Sequence, residues 1–321
     1  MPPIIVTTSP NFGTVKKVSD AIAEKGWTLV RCVDNSLPDG GMSAQAAEME
    51  ILVVGLIPAD AAIISNAPRL KAILKHGVGV DNIDIPAANA KGIPVLNAPG
   101  ANSNAVAELA LGGMFSLARR IPMVHRVVVD GGWERYIGVE LDGKTLGVVG
   151  LGNIGKILAR KAAALGMTVM ASDLYPDKEF AKTHGIKLVE LDKLLREADY
   201  VSLHVFGGKD NAHLIGAAEL ATMKPTACIM NLSRGEVLDM DALAVALDKN
   251  ALAGAVIDAY TVEPPDRMHP IFKNPKVVFT PHSGADTKES VERMGMMVVA
   301  DIDAILSGKR PPRIINADAL Q

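Results

Sequence analysis

A chain of 321 residues, 49% hydrophobic and 21% charged, can bury a large core without disulfide or metal staples and divides naturally into two domains of about 100–200 residues. Its formal net charge of −3 argues against a general nucleic-acid binder, which would carry a basic face. The two cysteines, Cys32 and Cys228, stand far apart with no CxxC or zinc spacing, so no metal site is expected and a reducing, cytoplasmic setting is.

The opening run through Ser9 is apolar but lacks the basic region and cleavage site of a secretory signal, and it reads as a first strand. Short apolar runs at 4–8, 28–32, 51–54, 70–74 and 94–97 predict five strands, with helical spacing at 15–25 and 59–66 between them. That alternation predicts a parallel sheet covered by helices on both faces. One long helix is expected from 104 to about 129, with Val106, Leu109, Ala110 and Gly113 as its packing stripe. The βαβ rhythm then restarts. A strand at 145–149 enters a glycine-rich turn, and Ile154, Ile157, Leu158, Ala162 and Leu165 mark one helix face. Gly166 ends that helix before a strand at 167–172. Further strands are expected at 200–205, 228–232, 253–258 and 276–280, with helices such as 191–198 and 241–249 between them. A last helix is expected over 287–306 and an extended tail over 311–316. No apolar run reaches the ~20 residues of a membrane helix, so no membrane partner is expected. The organisation predicted is α/β throughout: two doubly wound parallel-sheet (Rossmann-like) domains. Residues 1–99 with 287–321 form one, and 100–286 are inserted within it. The chain then crosses between them twice, which predicts a hinge and a cleft.

Gly150-Leu-Gly152-Asn-Ile-Gly155 has the form GxGxxG, a weak signal alone. Here a β-branched strand precedes it, an amphipathic helix follows it, and Asp173 closes the next strand, which is the context a dinucleotide site demands. Gly150 permits the tight turn, Gly152 lets the backbone approach a pyrophosphate, and Gly155 lets helix and strand pack closely. The helix N-terminus offers free N–H groups to the phosphates. Asp173 can accept from ribose hydroxyls and repels a 2′-phosphate. No Arg follows among Leu174, Tyr175 and Pro176, so NAD is favoured over NADP.

Reduction of a 2-oxo acid needs a cation for the carboxylate, a general acid for the forming alkoxide, and a carboxylate to orient that acid. Candidates for each follow predicted strands. Arg234 can hold a carboxylate bidentately. Glu263 stands in Tyr260-Thr-Val-Glu-Pro-Pro265, and His282 in Thr280-Pro-His-Ser-Gly-Ala285. A carboxylate beside a histidine stabilises imidazolium, which lets the ring donate a proton near neutrality. Taken singly, each has a plainer reading: a surface arginine, a solvated loop glutamate, a histidine satisfied by a backbone carbonyl. Asp258, also at a strand end, could meet a nicotinamide carboxamide or serve merely as a turn residue.

These motifs, with His76-Gly-Val-Gly-Val-Asp-Asn-Ile-Asp84, Asn102-Ser-Asn-Ala-Val-Ala-Glu108, Gly132-Trp-Glu134, Leu141-Asp-Gly-Lys-Thr-Leu-Gly147, Val201-Ser-Leu-His204 and Met223-Lys-Pro225, give a chain that resembles the D-isomer-specific 2-hydroxyacid dehydrogenase family over nearly its whole length. Within the family it is similar to the phosphoglycerate dehydrogenase branch, without a regulatory domain. The resemblance implies an NAD-dependent enzyme acting on a small D-2-hydroxy or 2-oxo acid, 3-phosphoglycerate or a hydroxypyruvate or glyoxylate type. It implies Arg234 and Glu263 as orienting residues and His282 as the proton donor and acceptor. Backbone N–H groups of Val78 and Gly79 would bind the substrate carboxylate, with Asn102 and Lys75 nearby. Cofactor contacts are implied at Val78, Asn153, Ile154 and Asp173, at Val205, Leu232 and Ser233, and at Asp258, Gly284 and Ala285. A homodimer built on the 104–129 segment is implied as well. The departures are Val205-Phe-Gly-Gly208 where the family commonly has an apolar residue and Pro-Leu-Thr, Asp258-Ala-Tyr260 for Asp-Val-Phe, and no Arg in 52–57. With that gap, Lys75 remains as one basic candidate near the substrate loop. A non-catalytic NAD-sensing corepressor shares the fold but is disfavoured by the intact trio. A formate-type dehydrogenase is disfavoured by Glu263.

Overall fold

The computed structural model describes residues 2–320 except Asn35 and Pro38, so the outermost positions of the expected first domain, 1 and 321, lie outside it. The chain forms two compact units, one from Met1–Asn102 with Ala285–Gln321 and one from Ser103–Gly284.

The first unit runs β1 (Ile4–Thr7), α1 (Lys16–Glu24), β2 (Thr28–Arg31), β3 (Ile51–Val54), α2 (Ala61–Ser65), β4 (Ala72–Lys75), α3 (Ile85–Ala90) and β5 (Val95–Leu96). Its sheet is ordered β2-β1-β3-β4-β5 with every pair parallel. The order reverses between β1 and β3, which makes the carboxyl ends of those strands a crevice-forming point. All four side chains of β3 are buried, as a central strand covered on both faces requires. α1 turns Val18 and Ile22 onto one face, where Val298, Val299 and Ile302 of the C-terminal helix, Lys288–Leu306, join them over Ile5, Ile51 and Leu74. Each such fully buried side chain contributes roughly 1.5–3 kcal/mol. The extended tail expected over 311–316 is mostly turn: it makes one antiparallel bridge, Ile314 to Leu96, and Arg313 anchors it by two bonds to the buried Asp301 carboxylate (2.7 and 3.0 Å).

The second unit comprises α4 (Ser103–Ala118), α5 (Ile121–Val129), β6 (Thr145–Val149), α6 (Asn153–Ala164), β7 (Thr168–Ser172), α7 (Lys178–Thr183), β8 (Lys187–Leu188), α8 (Leu191–Glu197), β9 (Tyr200–Leu203), α9 (Ala217–Thr222), β10 (Cys228–Asn231), α10 (Met240–Asp248), β11 (Gly254–Ile257) and β12 (Val277–Phe279). The sheet order is β12-β11-β10-β9-β6-β7-β8, again all parallel, with its reversal between β6 and β9. This is the Rossmann arrangement. One face packs Leu146 and Met230 against α4 and α6, and the other packs Val201 and Ile229 against α8, α9 and α10.

The single helix expected over 104–129 is two. Pro122 has no N–H to give the Ala118 carbonyl, and its ring would collide with that carbonyl in a continuous helix. The chain breaks at Arg120, in the left-handed region at φ +52°, and the Ala118 carbonyl accepts instead from the Val139 N–H (2.9 Å). Among the described residues no helix is long and apolar enough to cross a membrane.

Candidate active site

The glycine turn leaves β6 after Val149. Gly150 has φ +95°, and a Cβ there would sit 2.8 Å from the His204 carbonyl at the end of β9. A Cβ on Gly155 would overlap the Gly150 carbonyl. Both glycines are demanded by the protein's own backbone. Gly152 is different, because a Cβ there would meet nothing within 4 Å. Its carbonyl accepts from the Lys156 N–H (2.9 Å) to begin α6, whose first-turn N–H groups, including those of Asn153 and Ile154, lack intrahelical acceptors. An open backbone cradle lined with donors fits a pyrophosphate. The Asp173 carboxylate accepts from the Leu151 N–H (2.6 Å) and the Tyr175 N–H (2.8 Å), so it pins the turn to the end of β7. Each oxygen keeps a lone pair for a further donor such as a ribose hydroxyl. Of the other expected cofactor contacts, Leu232 and Ser233 are nearly buried and Val205 is half-buried.

Arg234, Glu263 and His282 follow β10, β11 and β12, which are neighbours in the sheet. Asn231 shapes the first of these loops: its Oδ1 accepts from the Ser233 N–H and hydroxyl (3.1 and 2.9 Å), and its Nδ2 donates to the Arg234 carbonyl (2.8 Å). Gly235 lies so close to the Tyr260–Thr261 peptide that any Cβ would overlap it. The His282 Nδ1–H donates to Glu263, 2.7 Å from Oε1 and 2.8 Å from Oε2, and the Tyr260 N–H reaches Oε1 as well (3.1 Å). With Nδ1 so used, Nε2 is the nitrogen left for chemistry. Burial pushes the Glu263 carboxyl up. The His282 hydrogen bond and charge, the Tyr260 N–H and the Arg234 charge outweigh it and hold the carboxyl below its ordinary value. His282 itself takes a left-handed backbone, φ +52°, which costs a non-glycine residue about 1–2 kcal/mol. Asp258 enforces it, accepting from the Thr280 hydroxyl (2.6 Å), the Ser283 N–H (2.8 Å) and the Gly284 N–H (2.9 Å).

Nearby, His204 bonds the Ser202 hydroxyl through Nε2 (2.8 Å), and burial lowers it to about 4, so it is a neutral ring at neutral pH. Thr280, Asn231 and Tyr260 were not singled out by sequence reasoning as site residues. Their signal was position: each lies at or just past a strand end, two or three residues from one of the trio or from Asp258.

In the first unit the loop after β4 is held from below. The buried Lys75 ammonium donates to the Gly55 carbonyl (2.5 Å) and Asn82 Oδ1 (2.7 Å), while Asn82 Nδ2 donates to the carbonyls of Gly55, Leu56 and Ile57 (3.0, 3.0 and 3.2 Å). Lys75, expected as a substrate-binding residue, ties two loops of its own unit together through these bonds. His76 pairs with the Ser9 hydroxyl (2.9 Å) and packs edge-on to Phe12, and burial lowers it to about 4. The carbonyls of Gly77 and Val78 accept from the Ala98 N–H (2.8 Å) and Asn97 Nδ2 (2.7 Å). Among the described residues no hydrogen bond engages the N–H of Val78 or Gly79. Asn102 Oδ1 is buried with no hydrogen-bond partner among the described residues. No group of three or more His, Cys, Asp or Glu among the described residues could hold a metal.

A family model described as D-isomer specific 2-hydroxyacid dehydrogenase, NAD binding domain, matches residues 111–284. The D-3-phosphoglycerate dehydrogenase of Archaeoglobus fulgidus is 40% identical over 273 residues, 84% of this chain and 52% of that protein. The glyoxylate reductase of Thermococcus litoralis is 38% identical over 293 residues, 88% of each. A solved D-lactate dehydrogenase of Aquifex aeolicus, complexed with NAD and lactic acid, superposes with a TM-score of 0.83 at 27% identity, covering 95% of this chain and 96% of that one. The chain spans about half the length of the phosphoglycerate dehydrogenases of Archaeoglobus fulgidus and Methanocaldococcus jannaschii (52% and 49%).

Proposed function

Because the chain belongs to the D-isomer specific 2-hydroxyacid dehydrogenase family, we propose that it is an NAD-dependent oxidoreductase that moves a hydride between nicotinamide and C2 of a small, unphosphorylated D-2-hydroxy or 2-oxo acid. The observation that carries this is the 2.7 Å Glu263–His282 pair at the carboxyl edge of the sheet whose first strand opens into the Gly150–Gly155 cradle. His282 Nε2 would exchange the proton of the C2 oxygen. Glu263 fixes the ring and balances its charge. Arg234 is assigned to the substrate carboxylate. Asp258 keeps one lone pair beyond its three loop bonds, which suits a nicotinamide carboxamide. The Asp173 carboxylate, with no arginine at 174–176, favours NAD over NADP.

Two observations favour a glyoxylate or hydroxypyruvate type of substrate over 3-phosphoglycerate. Lys75 is committed to acceptors of its own unit, and the 52–57 segment offers the exposed apolar Leu56 where it has no arginine. A phosphate needs several cations or N–H donors. A cytoplasmic setting is consistent with two buried free thiols, Cys32 and Cys228. A homodimer is proposed on α5, which buries none of its side chains and leaves Ile121, Val128 and Val129 exposed, alongside Trp133, Tyr136, Ile137 and Val139.

NADH oxidation against phosphohydroxypyruvate, hydroxypyruvate, glyoxylate and pyruvate tests the reading. An unphosphorylated acid should give the highest kcat/KM. Preference for phosphohydroxypyruvate by orders of magnitude would overturn the substrate assignment, and no turnover with any 2-oxo acid would favour a purely NAD-sensing protein. His282→Ala should lower kcat by ~10²-fold or more while NADH still binds.

A further inference from the structure

We propose that Tyr260 is the positioning residue that holds the Arg234, Glu263 and His282 loops in mutual register. Three contacts carry the proposal, one within its own loop and one with each of the neighbouring loops. Its N–H donates to Glu263 Oε1 (3.1 Å). Its hydroxyl reaches the Thr280 carbonyl (2.9 Å) and the Ile257 carbonyl (3.2 Å), joining the ends of β11 and β12 two residues before His282. The Tyr260–Thr261 peptide is the surface on which Gly235, the neighbour of Arg234, lies without room for a Cβ.

The ring is fixed as firmly as the polar ends. Tyr260 is 9% exposed and stacks on Phe272 (6.2 Å, 29°), which packs in turn on Phe279 of β12 (4.8 Å). A buried phenol needs an acceptor, and here one hydroxyl proton is shared between two strand-end carbonyls. Thr280 is therefore held three ways: its hydroxyl donates to Asp258, its N–H donates to the Ile257 carbonyl (3.0 Å), and its carbonyl accepts from Tyr260. Those grips hold the chain where it turns into the left-handed backbone of His282. A phenylalanine at 260 keeps the stacking and the N–H but frees the Thr280 carbonyl, so the His282 loop loses that anchor and keeps those to Asp258 and Glu263. A misplacement of about 1 Å at a reacting group can slow catalysis ~10²-fold, so a smaller shift at His282 is enough to be measured.

The proposal rests on the assignment of His282 as the proton-exchanging group, and the test separates the two. In Tyr260→Phe the downfield proton resonance of the His282 Nδ1–H, hydrogen-bonded to Glu263, should shift or broaden. kcat should fall about 10-fold with KM for the 2-oxo acid and NADH affinity within about twofold of wild type, and the solvent deuterium isotope effect on kcat should rise. Phe272→Leu, which loosens the ring packing but leaves every hydrogen bond of Tyr260, should lower Tm without moving the resonance or the isotope effect. An unchanged resonance in Tyr260→Phe overturns the proposal. A wild type that shows the resonance yet reduces no 2-oxo acid sinks the assigned reaction, and the resonance still decides the role of Tyr260.

Discussion

Glu263 illustrates how the site is built from opposing single-residue effects. Burial alone would favour its neutral acid, yet the surrounding N–H groups and charges hold it ionised at and below its ordinary value of 4.5. A carboxyl whose folded value is depressed adds stability that is complete above the unfolded value and is lost as pH falls through the folded one. Wild-type Tm should therefore drop on acidification below about pH 4.5, and Glu263→Gln should lose that share of the drop while melting lower near neutrality. Thermal melts across about pH 3–6 measure this, and parallel curves for the two proteins would refute it. That Arg234, Glu263 and His282 follow neighbouring strand ends was legible in the sequence, because each comes after an apolar run and parallel strands present their carboxyl ends together. The surroundings of Lys75 were not legible in the same way. A lysine beside a glycine loop reads as a ligand for anions, and only the fold reveals the Gly55 carbonyl and Asn82 side chain that it bonds.

At the scale of elements, the β6–α6 turn separates glycines the fold needs from the one a ligand needs. Gly150→Ala forces a side chain into the left-handed region against the His204 carbonyl, and Gly155→Ala overlaps the Gly150 carbonyl. Each should cost about 1–3 kcal/mol or more of stability. Gly152→Ala meets open space and loses only a favourable N-cap, so its stability should stay within about 1 kcal/mol of wild type. NADH affinity should nonetheless fall ~10-fold or more, because the new methyl group occupies the cradle. Denaturant melts and NADH titration of the three variants settle it; normal NADH binding by Gly152→Ala would remove the pyrophosphate from this turn. The elements that pattern reading missed are the ones with the least pattern. β8 is two residues long, and α3, α7 and α9 have six residues each, too few for a helical period to stand out. The break between α4 and α5 was marked by Pro122, but the apolar stripe on both sides of it made one helix the simpler reading.

At the scale of the whole molecule, the unburied α5 face needs an occupant. Monomeric proteins rarely expose contiguous apolar patches larger than a few hundred Å², and a stable partner buries about 800 Å² per side. Light scattering should give twice the chain mass for wild type, and Val128→Glu combined with Ile137→Glu should give a monomer. A monomeric wild type would leave that face unexplained by self-association.

The discontinuity of the first unit bears on the order in which the chain acquires its structure. Ile5 and Leu74 share their core with Val298 and Ile302, so β1 emerges from the ribosome long before the helix that covers it. The 103–284 unit is continuous and closes all seven of its strands without waiting for any later segment. A chain whose residues up to 284 have left the ribosome thus holds one finished sheet and another with a bare apolar face. During that interval aggregation is a hazard of the first unit, and it ends only when the C-terminal helix docks.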